Sequence, residues 1–397
     1  MSLESNLNFS ASTLKVLTDE KTGKISSAKL NKTDVNGDKN ISEKEALKAG
    51  IPLKDLDSVN KAFKQFDFSC NANVQFPEKS TSTKEFDAIW KTYGTDKGEL
   101  PATITTVDQL KKSLCVSDDF KNAPQLKTLL DNLSNTDEYT LTYLNQIGKS
   151  HGLITLNDIS SKLNTYISSG ATVDGVDKKT LVKDLLHDIS YPSDIAQESK
   201  GTCAAAAIQM KVAIENPTEY VNIATTLAQG KDYKTAGEKV LKPNNTWKGD
   251  CDDARTTSCK IVQNSFMVGA GNTSYTSKND KMEGANSDGQ ATLMQNVFGD
   301  SDYNVDLLYT GNKLYEFVED DIARGKSVGV SFKGHAVLAV GIDKTTNPAQ
   351  VIMNSWGKRF SMSVDEFKQH VKAVKNKDDD GYDDKKTSAG SKVIIGE

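Results

Sequence analysis

Residues 197–210 read QESKGTCAAAAIQM, and the fold we predict for the C-terminal half of the chain depends on this stretch. A glycine and a threonine precede Cys203, and the run AAAAIQMKVAIE continues a helix until Asn216 and Pro217 stop it. The sequence therefore predicts a helix that begins at Cys203, where free backbone amides and the helix dipole favour a thiolate. Taken alone, a cysteine beside four alanines is typical of an inert buried helix. Other segments must decide between these two interpretations.

Two downstream segments offer partners for a thiol. His335 follows a glycine at the start of the strand-like run HAVLAVGI, and Asn354 ends the strand-like run AQVIMNS. An imidazole at a strand end can take the proton of a thiol on a facing helix. An amide can hold that imidazole in one orientation, and Trp356 can shield their hydrogen bond from water. His187 and His370 lie in helix-like segments, where we expect structural roles.

Gln197, then GTC at a helix start, then GHAV, then NSWG resemble the papain-like cysteine peptidases, in the order of that family. The resemblance covers residues 190–397 and is confined to these short motifs. It implies an α+β fold, in which a helical lobe carrying Cys203 faces a strand-rich lobe carrying His335 and Asn354. It also implies that the Gln197 side chain and the backbone N–H of the cysteine form an oxyanion hole.

Two departures from the family pattern indicate a divergent, bacterial branch. Ala204 stands where an aromatic residue is common, and the several disulfides of animal and plant members are absent, since the chain has only five scattered cysteines. Cys251, in WKGDCDDART, is a rival nucleophile, because this segment looks like the GDC motif of bacterial transglutaminase-like peptidases. Its other interpretation is a loop cysteine that pairs with Cys259.

The resemblance implies a cysteine endopeptidase that acts on a protein or peptide substrate through Cys203, His335 and Asn354. Two alternatives stay open. One is an acyltransferase or deamidase that uses the same triad, because the thioester chemistry is shared and only the acceptor differs. The other is a non-catalytic, calcium-dependent adaptor built on an inactive peptidase fold.

Residues 34–45 read DVNGDKNISEKE and resemble an EF-hand calcium loop. Oxygen-bearing side chains occupy the alternating ligand positions, as a hard cation requires: Asp34, Asn36, Asp38, Asn40, Ser42 and Glu45. Ile41 stands where a short strand pairs with a partner loop, and residues 42–45 make a capping box for the exiting helix. Position 6, usually glycine, is Lys39, which would strain the turn. The alternative is a polar turn before a helix.

A second loop of the same kind spans residues 67–78 and reads DFSCNANVQFPE. Its ligand positions hold fewer charged groups, which predicts weaker calcium binding: Asp67, Ser69, Asn71, Asn73 and Glu78. A third segment, GKSHGLITLNDI from Gly148, resembles a calcium loop but has no acidic residue at the ligand positions. We therefore expect a structural loop in which His151 is not a ligand.

Changes in composition and in the spacing of apolar residues along the chain predict three regions. Residues 1–95 form a mainly helical EF-hand pair, residues 96–184 a helical segment resembling a pro-region, and residues 185–397 the peptidase domain. We expect the first two regions to regulate a zymogen-like enzyme in response to calcium. The net charge of −5 argues against nucleic acid, and no apolar run is long enough to span a membrane. We expect a monomer that is exported without a visible signal, with a cytoplasmic protein as the alternative.

Overall fold

A computed structural model of the chain describes residues 10–17, 33, 41–56, 58–60, 104–133, 136–248, 250, 253–278, 285, 287–299, 303–307, 311–332, 335–369 and 392–395. Helices and antiparallel sheet are combined in this part of the chain, which is the predicted α+β class in its broad sense. The chain divides into two compact units. The first comprises Met1–Glu78 and Leu100–Leu156, and the second Lys79–Glu99 and Asn157–Glu397.

The first unit is helical where the structure describes it. Its helices are α1 (Ala11–Leu17), α2 (Glu43–Ala49), α3 (Val107–Leu114), α4 (Pro124–Leu133) and the first part of α5 (Glu138–Ser168). Leucines at helical spacing in α3 and α4 are buried, as their pattern predicts. The Asp55 carboxylate accepts hydrogen bonds from the backbone N–H of Ser10 and the hydroxyl of Thr13, which joins the start of α1 to the chain after α2.

The third segment that resembles a calcium loop forms a helix rather than a loop. Residues 148–159 lie within α5, and only Gly152, with φ of 85°, departs from helical geometry. A positive φ costs glycine little, so a single residue can interrupt the helix without a loop around it. His151 accordingly lies in a helix, next to this break.

Six further helices lie in the described part of the second unit. They are α6 (Lys178–Ser190), α7 (Cys203–Glu215), α8 (Pro217–Ala228), α9 (Thr257–Gly269), α10 (Ser287–Phe298) and α11 (Gly311–Ala323). The predicted domain boundary at residue 185 falls inside α6, whereas the first unit ends at Leu156. The Asp184 carboxylate in α6 accepts a hydrogen bond from the backbone N–H of Thr257 at 2.8 Å. This bond ties α6 to the start of α9 within one unit.

Most strands of the second unit form one antiparallel sheet. A two-stranded ribbon comes first, from β1 (Tyr233–Lys234) and β2 (Val240–Leu241). The other strands are β3 (Asn304–Leu307), β4 (Val328–Phe332), β5 (His335–Asp343), β6 (Gln350–Ser355), β7 (Lys358–Ser363) and β8 (Lys392–Ile395). They lie in the order β3-β8-β4-β5-β6-β7. The strand-like runs HAVLAVGI and AQVIMNS found in the sequence lie in β5 and β6.

One face of this sheet packs against α11 in a cluster that we call the α11 core. Its buried members come from α11, four strands and the residues after β7: Leu314, Val318, Val328, Val330, Val337, Ala339, Val351, Met353, Phe360, Met362 and Phe367. Alternate residues of β5 and β6 belong to it, as the period of a strand requires. The other face is also buried at Ala336 and Leu338, and α7 packs against β5 and β6.

Within the described ranges, no helix combines the length and the apolar composition that crossing a bilayer requires.

Candidate active site

Cys203 is the first residue of α7, as the sequence predicts. Thr202 precedes it as the N-cap residue, but its hydroxyl does not cap the helix and instead donates to Gln263 Oε1 at 2.6 Å. Asn216 ends α7, and Pro217 begins α8, where a proline is best tolerated. The thiol therefore lies at a helix N terminus whose backbone amides are not capped by the preceding side chain.

The Cys203 sulfur is buried and surrounded by backbone amides. The residue is 8% exposed, and the backbone amides of Ala336, Ala204 and Cys203 itself are close enough to the sulfur to lower the pKa of the thiol. Burial raises the pKa of the thiol above its usual value, and the three amides counteract only part of this effect. A thiol of this kind is mostly protonated near neutral pH and needs a base to become a nucleophile.

The amide of Ala336 belongs to the residue next to His335, the candidate base. His335 begins β5 and is fully buried. Its Nε2 lies 2.7 Å from Ser355 Oγ, and its ring centroid lies 4.5 Å from that of Trp356 at an angle of 45°. The structure thus brings the cysteine to the start of the strand that carries the histidine.

Strand alternation explains why Ser355 contacts His335 and Asn354 does not. His335 and Ser355 each lie two residues from members of the α11 core, so both side chains are on that face of the sheet. Asn354 is opposite Leu338 in the register of β5 and β6, and therefore lies on the other face. This differs from the arrangement that the resemblance implies, in which the asparagine amide holds the imidazole.

Asn354 is nevertheless deeply buried, at 1% exposure. Its Oδ1 has no hydrogen-bond partner in the described part of the chain. A buried amide oxygen without a partner costs free energy, so this position is held by the surrounding packing rather than by its own hydrogen bonds.

Gln197 is buried in the turn that leads to the cysteine. Its Nε2 donates to the carbonyl oxygen of Lys200 at 2.7 Å, and the backbone N–H of Lys200 donates to the Gln197 carbonyl at 3.1 Å. The glutamine therefore closes its own turn. An amide nitrogen carries two hydrogens, and the expected oxyanion role would use the one that does not point at Lys200.

A buried polar network, which no sequence pattern predicts, holds the residue before the cysteine. Arg255, 1% exposed, forms a two-pronged ion pair with Asp253, at 2.9 and 2.7 Å. Its Nη1 donates to Gln263 Oε1 at 3.2 Å, the same oxygen that accepts from Thr202. Burial alone would raise the pKa of the Asp253 carboxyl, but Arg255 lowers it below its usual value. The pair therefore stays ionised and anchors the N terminus of α7.

A second ion pair holds the same turn from its other side. Lys200 is 3% exposed, and its Nζ contacts Asp250 Oδ2 at 2.9 Å and the Ser277 carbonyl oxygen at 3.0 Å. The Ser277 hydroxyl lies 2.7 Å from Asp250 Oδ2 and 2.9 Å from Asp253 Oδ2, and its single hydrogen can donate to either of them. Lysine is rarely this buried without a partner, so the pair fixes the backbone between Gln197 and Cys203.

The other described histidine of the second unit has carboxylate neighbours. His187 in α6 is buried, with Nε2 at 3.2 Å from Asp194 Oδ2 and Nδ1 at 3.8 Å from Asp188 Oδ1. Burial alone would lower the pKa of His187, but the two carboxylates raise it to about 9. Asp188 Oδ2 also accepts from the hydroxyls of Tyr220 and Ser258, both at 2.6 Å. His187 is thus a buried cation, and its role is structural.

The first calcium loop is described only at its end. Ser42 and Glu45 form the predicted capping box at the start of α2, in which the Glu45 carboxylate accepts from the Ser42 backbone N–H at 2.8 Å. The backbone of Ile41 pairs with the side-chain amide of Asn60, at 2.6 and 3.0 Å, and not with a strand in the described residues. Both described candidate ligands carry oxygen donors, which is the chemistry that calcium requires.

Other candidate ligands and the rival nucleophile lie outside the described residues. These are Asp34, Asn36, Asp38, Asn40, Asp67, Ser69, Asn71, Asn73, Glu78 and Cys251. Cys259 is buried in α9, and Cys251, the disulfide partner considered for it, lies outside the described residues. Among the residues that the structure describes, no group of three or more His, Cys, Asp or Glu side chains could hold a metal ion.

The site combines a thiol at a helix N terminus, an imidazole one residue from the amide that the thiol contacts, and an anchored turn carrying an amide side chain. These are the parts that acyl transfer through a thioester needs. Comparisons with models of protein families, with curated proteins and with solved structures found no match to this chain. The functional assignment therefore rests on the residues of the site.

Proposed function

We propose that this chain is a cysteine peptidase whose nucleophile is Cys203 and whose general base is His335. The observation that carries the proposal is that the Ala336 backbone amide is close enough to the Cys203 sulfur to lower the pKa of the thiol, which sets the thiol beside the start of the histidine strand. Two ion pairs, Arg255 with Asp253 and Lys200 with Asp250, support it because they hold the chain around the thiol rigidly.

In the first step, His335 takes the proton from the Cys203 thiol as the sulfur attacks the carbonyl carbon of a peptide bond. The burial that raises the pKa of the thiol makes this base necessary. The carbonyl oxygen becomes an oxyanion, which the Cys203 backbone N–H and the Gln197 Nε2–H stabilise. In apo structures the contact between nucleophile and base is often long, and it shortens when substrate binds.

In the second step, the imidazolium gives its proton to the leaving amine, the C–N bond breaks, and a thioester remains on Cys203. Water then attacks the thioester while His335 takes one of its protons. The C–S bond breaks, the carboxylic acid leaves, and the proton returns to the sulfur. If an amine replaces water, the product is a new amide, which is the acyl-transfer alternative.

The test is cleavage of a mixed peptide library by the purified full-length chain and its Cys203→Ala variant. Cys115→Ala is the matched control, because Cys115 is an exposed free thiol of the first unit, and Cys251→Ala tests the rival nucleophile. We expect cleavage by the wild type and by both controls, and none by Cys203→Ala. Cleavage that survives Cys203→Ala but is lost in Cys251→Ala would contradict the assignment.

Two further outcomes point to the other functions. A chain that joins a labelled amine to glutamine side chains, or releases ammonia from them, without cutting peptides is a transferase or deamidase. A chain that does neither, and whose Cys203 does not react with a peptide-based thiol reagent, is an adaptor. Both outcomes would overturn the peptidase proposal.

We also propose that residues 34–45 bind calcium and that calcium stabilises or regulates the enzyme. The capping box of Ser42 and Glu45 supports this, because it sets two oxygen-bearing ligand positions on one helix turn. We expect calcium to raise the melting temperature of the wild type and not of Asp34→Asn. Glu43→Gln, which alters a non-ligand position of α2, is the control. Equal melting temperature and peptidase activity in calcium and in chelator would contradict this proposal.

A further inference from the structure

We propose that Ser355, and not Asn354, is the positioning residue that fixes the orientation and tautomer of His335. The inference rests on the proposed function, because it concerns the base of that reaction. It departs from the triad that the sequence predicts, in which Asn354 has this role.

The contact itself is short and buried. Ser355 Oγ lies 2.7 Å from His335 Nε2, and the two residues are 2% and 0% exposed. Water does not compete at such a position, so the bond between the hydroxyl and the ring nitrogen is not weakened by solvent. The bond therefore restricts the rotation of the ring.

Proton count decides the direction of this bond during the reaction. When His335 has taken the thiol proton, both ring nitrogens carry hydrogen, so Nε2–H can only donate and Ser355 Oγ must accept. A serine oxygen has two lone pairs and accepts without adding charge. In the resting state the same bond favours the tautomer with hydrogen on Nε2, which leaves the lone pair on Nδ1 to act as the base.

The hairpin after β6 explains why the serine is held so firmly. Ser355 pairs with Lys358 across a two-residue loop of Trp356 and Gly357, whose φ angles are 46° and 72°. Positive φ at both positions is the type I′ turn that suits the twist of a hairpin. A bulky residue such as tryptophan rarely has a positive φ. In this turn the conformation places the Trp356 ring centroid 4.5 Å from that of His335.

The same backbone excludes Asn354 from the role. Asn354 lies opposite Leu338 in the register, on the face of the sheet away from the α11 core. Moving its amide to His335 would require a one-residue shift of β6, and such a shift would turn Met353 and Val351 out of that core. The hairpin thus presents one hydroxyl and one indole to the imidazole and keeps the amide on the other side.

The test measures kcat, KM and the pH dependence of kcat/KM with a peptide that the wild type cleaves. It compares three variants: Ser355→Ala, Ser355→Thr and Asn354→Ala. We expect Ser355→Ala to lower kcat at least about tenfold and to shift the acidic limb of the profile, with KM unchanged. Ser355→Thr, which keeps the hydroxyl, should restore most of the rate, and Asn354→Ala should stay within about threefold of the wild type. The reverse ranking of the two alanine variants would overturn the proposal.

Nitrogen-15 NMR of the histidine ring separates this inference from the proposed function. We expect the wild type, and equally Cys203→Ala, to show His335 with hydrogen on Nε2, and Ser355→Ala to lose that preference. This readout needs no catalysis, so it remains decisive if no peptide is cut. If Ser355→Ala does not fold, Ser355→Thr and Asn354→Ala provide the comparison. A tautomer that changes in Asn354→Ala, or one with hydrogen on Nδ1 in the wild type, would contradict the inference.

Discussion

Two buried histidines of the second unit have opposite surroundings. His187 lies in α6 between the carboxylates of Asp188 and Asp194, and these raise its pKa to about 9. The contacts described for His335 are the hydroxyl of Ser355 and the ring of Trp356. Both rings are removed from water, so burial alone does not distinguish them.

The difference teaches what makes a buried imidazole useful as a base. Carboxylates stabilise the imidazolium, so His187 holds its proton throughout the physiological range and acts as a fixed cation. A hydroxyl and an indole, the contacts described for His335, add no formal charge that would stabilise an imidazolium as a carboxylate does. This contrast agrees with the proposed roles, which are structural for His187 and chemical for His335.

The largest expected effect is that of His335→Gln on the reaction. Removal of a general base lowers rates by about 10² to 10⁴, so peptide cleavage should fall by that factor while the melting temperature changes little. His187→Gln is the matched control, since it removes the other buried ring of the same unit. The measurement is kcat/KM of the folded fraction of each variant. Equal losses in the two variants would remove the distinction between them.

His187→Gln should act on stability instead. It leaves the buried carboxylate of Asp188 and the partly exposed carboxylate of Asp194 without their cation, and loss of one partner of a buried ion pair costs about 3 kcal/mol or more. Urea unfolding followed by circular dichroism gives the change in free energy of unfolding. A variant as stable as the wild type would show that His187 is not the cation described here.

The dependence of stability on pH sharpens the same contrast. A group with a higher pKa in the folded state stabilises the fold at low pH and loses that contribution as pH rises through its folded pKa. The pKa of His187 rises from 6.5 to about 9, so stability should fall over that interval. Burial and the charge of Asp188 raise the pKa of Asp184 from 3.8 to about 7, so a further loss should occur between those values. Unfolding measured from pH 4 to 9 should show both losses, and His187→Gln should remove only the upper one.

The smallest effect concerns the hydroxyl that supports the His187 cluster. Ser258→Ala removes a 2.6 Å hydrogen bond to the Asp188 carboxylate, which we expect to cost about 1.5 kcal/mol because the acceptor is charged. Ser190→Ala is the control, because this buried hydroxyl of α6 donates to the neutral carbonyl oxygen of Leu186. The control should cost less, and the opposite order in urea unfolding would count against a charged Asp188.

Local signals in the sequence predicted the framework of the site. The residues before Cys203 and the Asn216-Pro217 pair bound α7 by backbone chemistry alone, so both ends of that helix were readable. The apolar runs that form β5 and β6 were also readable, because they are local patterns. The position of His335 at the start of β5 followed from these runs, because it is the first residue of HAVLAVGI.

The partners of His335 and Cys203 were not readable, because they depend on register and on distant contacts. Ser355 and Asn354 are neighbours in sequence, and only the pairing of β5 with β6 decides which of them faces the imidazole. Arg255 gave no signal either, since arginine is usually exposed, yet here it is buried against Asp253 and Gln263. The loop predicted at residues 148–159 rested on their resemblance to a calcium loop, whereas only Gly152 interrupts the helix there.

The most direct test of the central claim is to find which cysteine carries the label after treatment with a peptide-based thiol reagent. Intact mass gives the number of adducts, and peptide mapping gives their position. We predict one adduct, on Cys203, formed much more slowly in His335→Gln and at the wild-type rate in His187→Gln. An adduct on Cys251 in place of Cys203, or a rate on Cys203 that is the same in wild type and His335→Gln, would contradict the account.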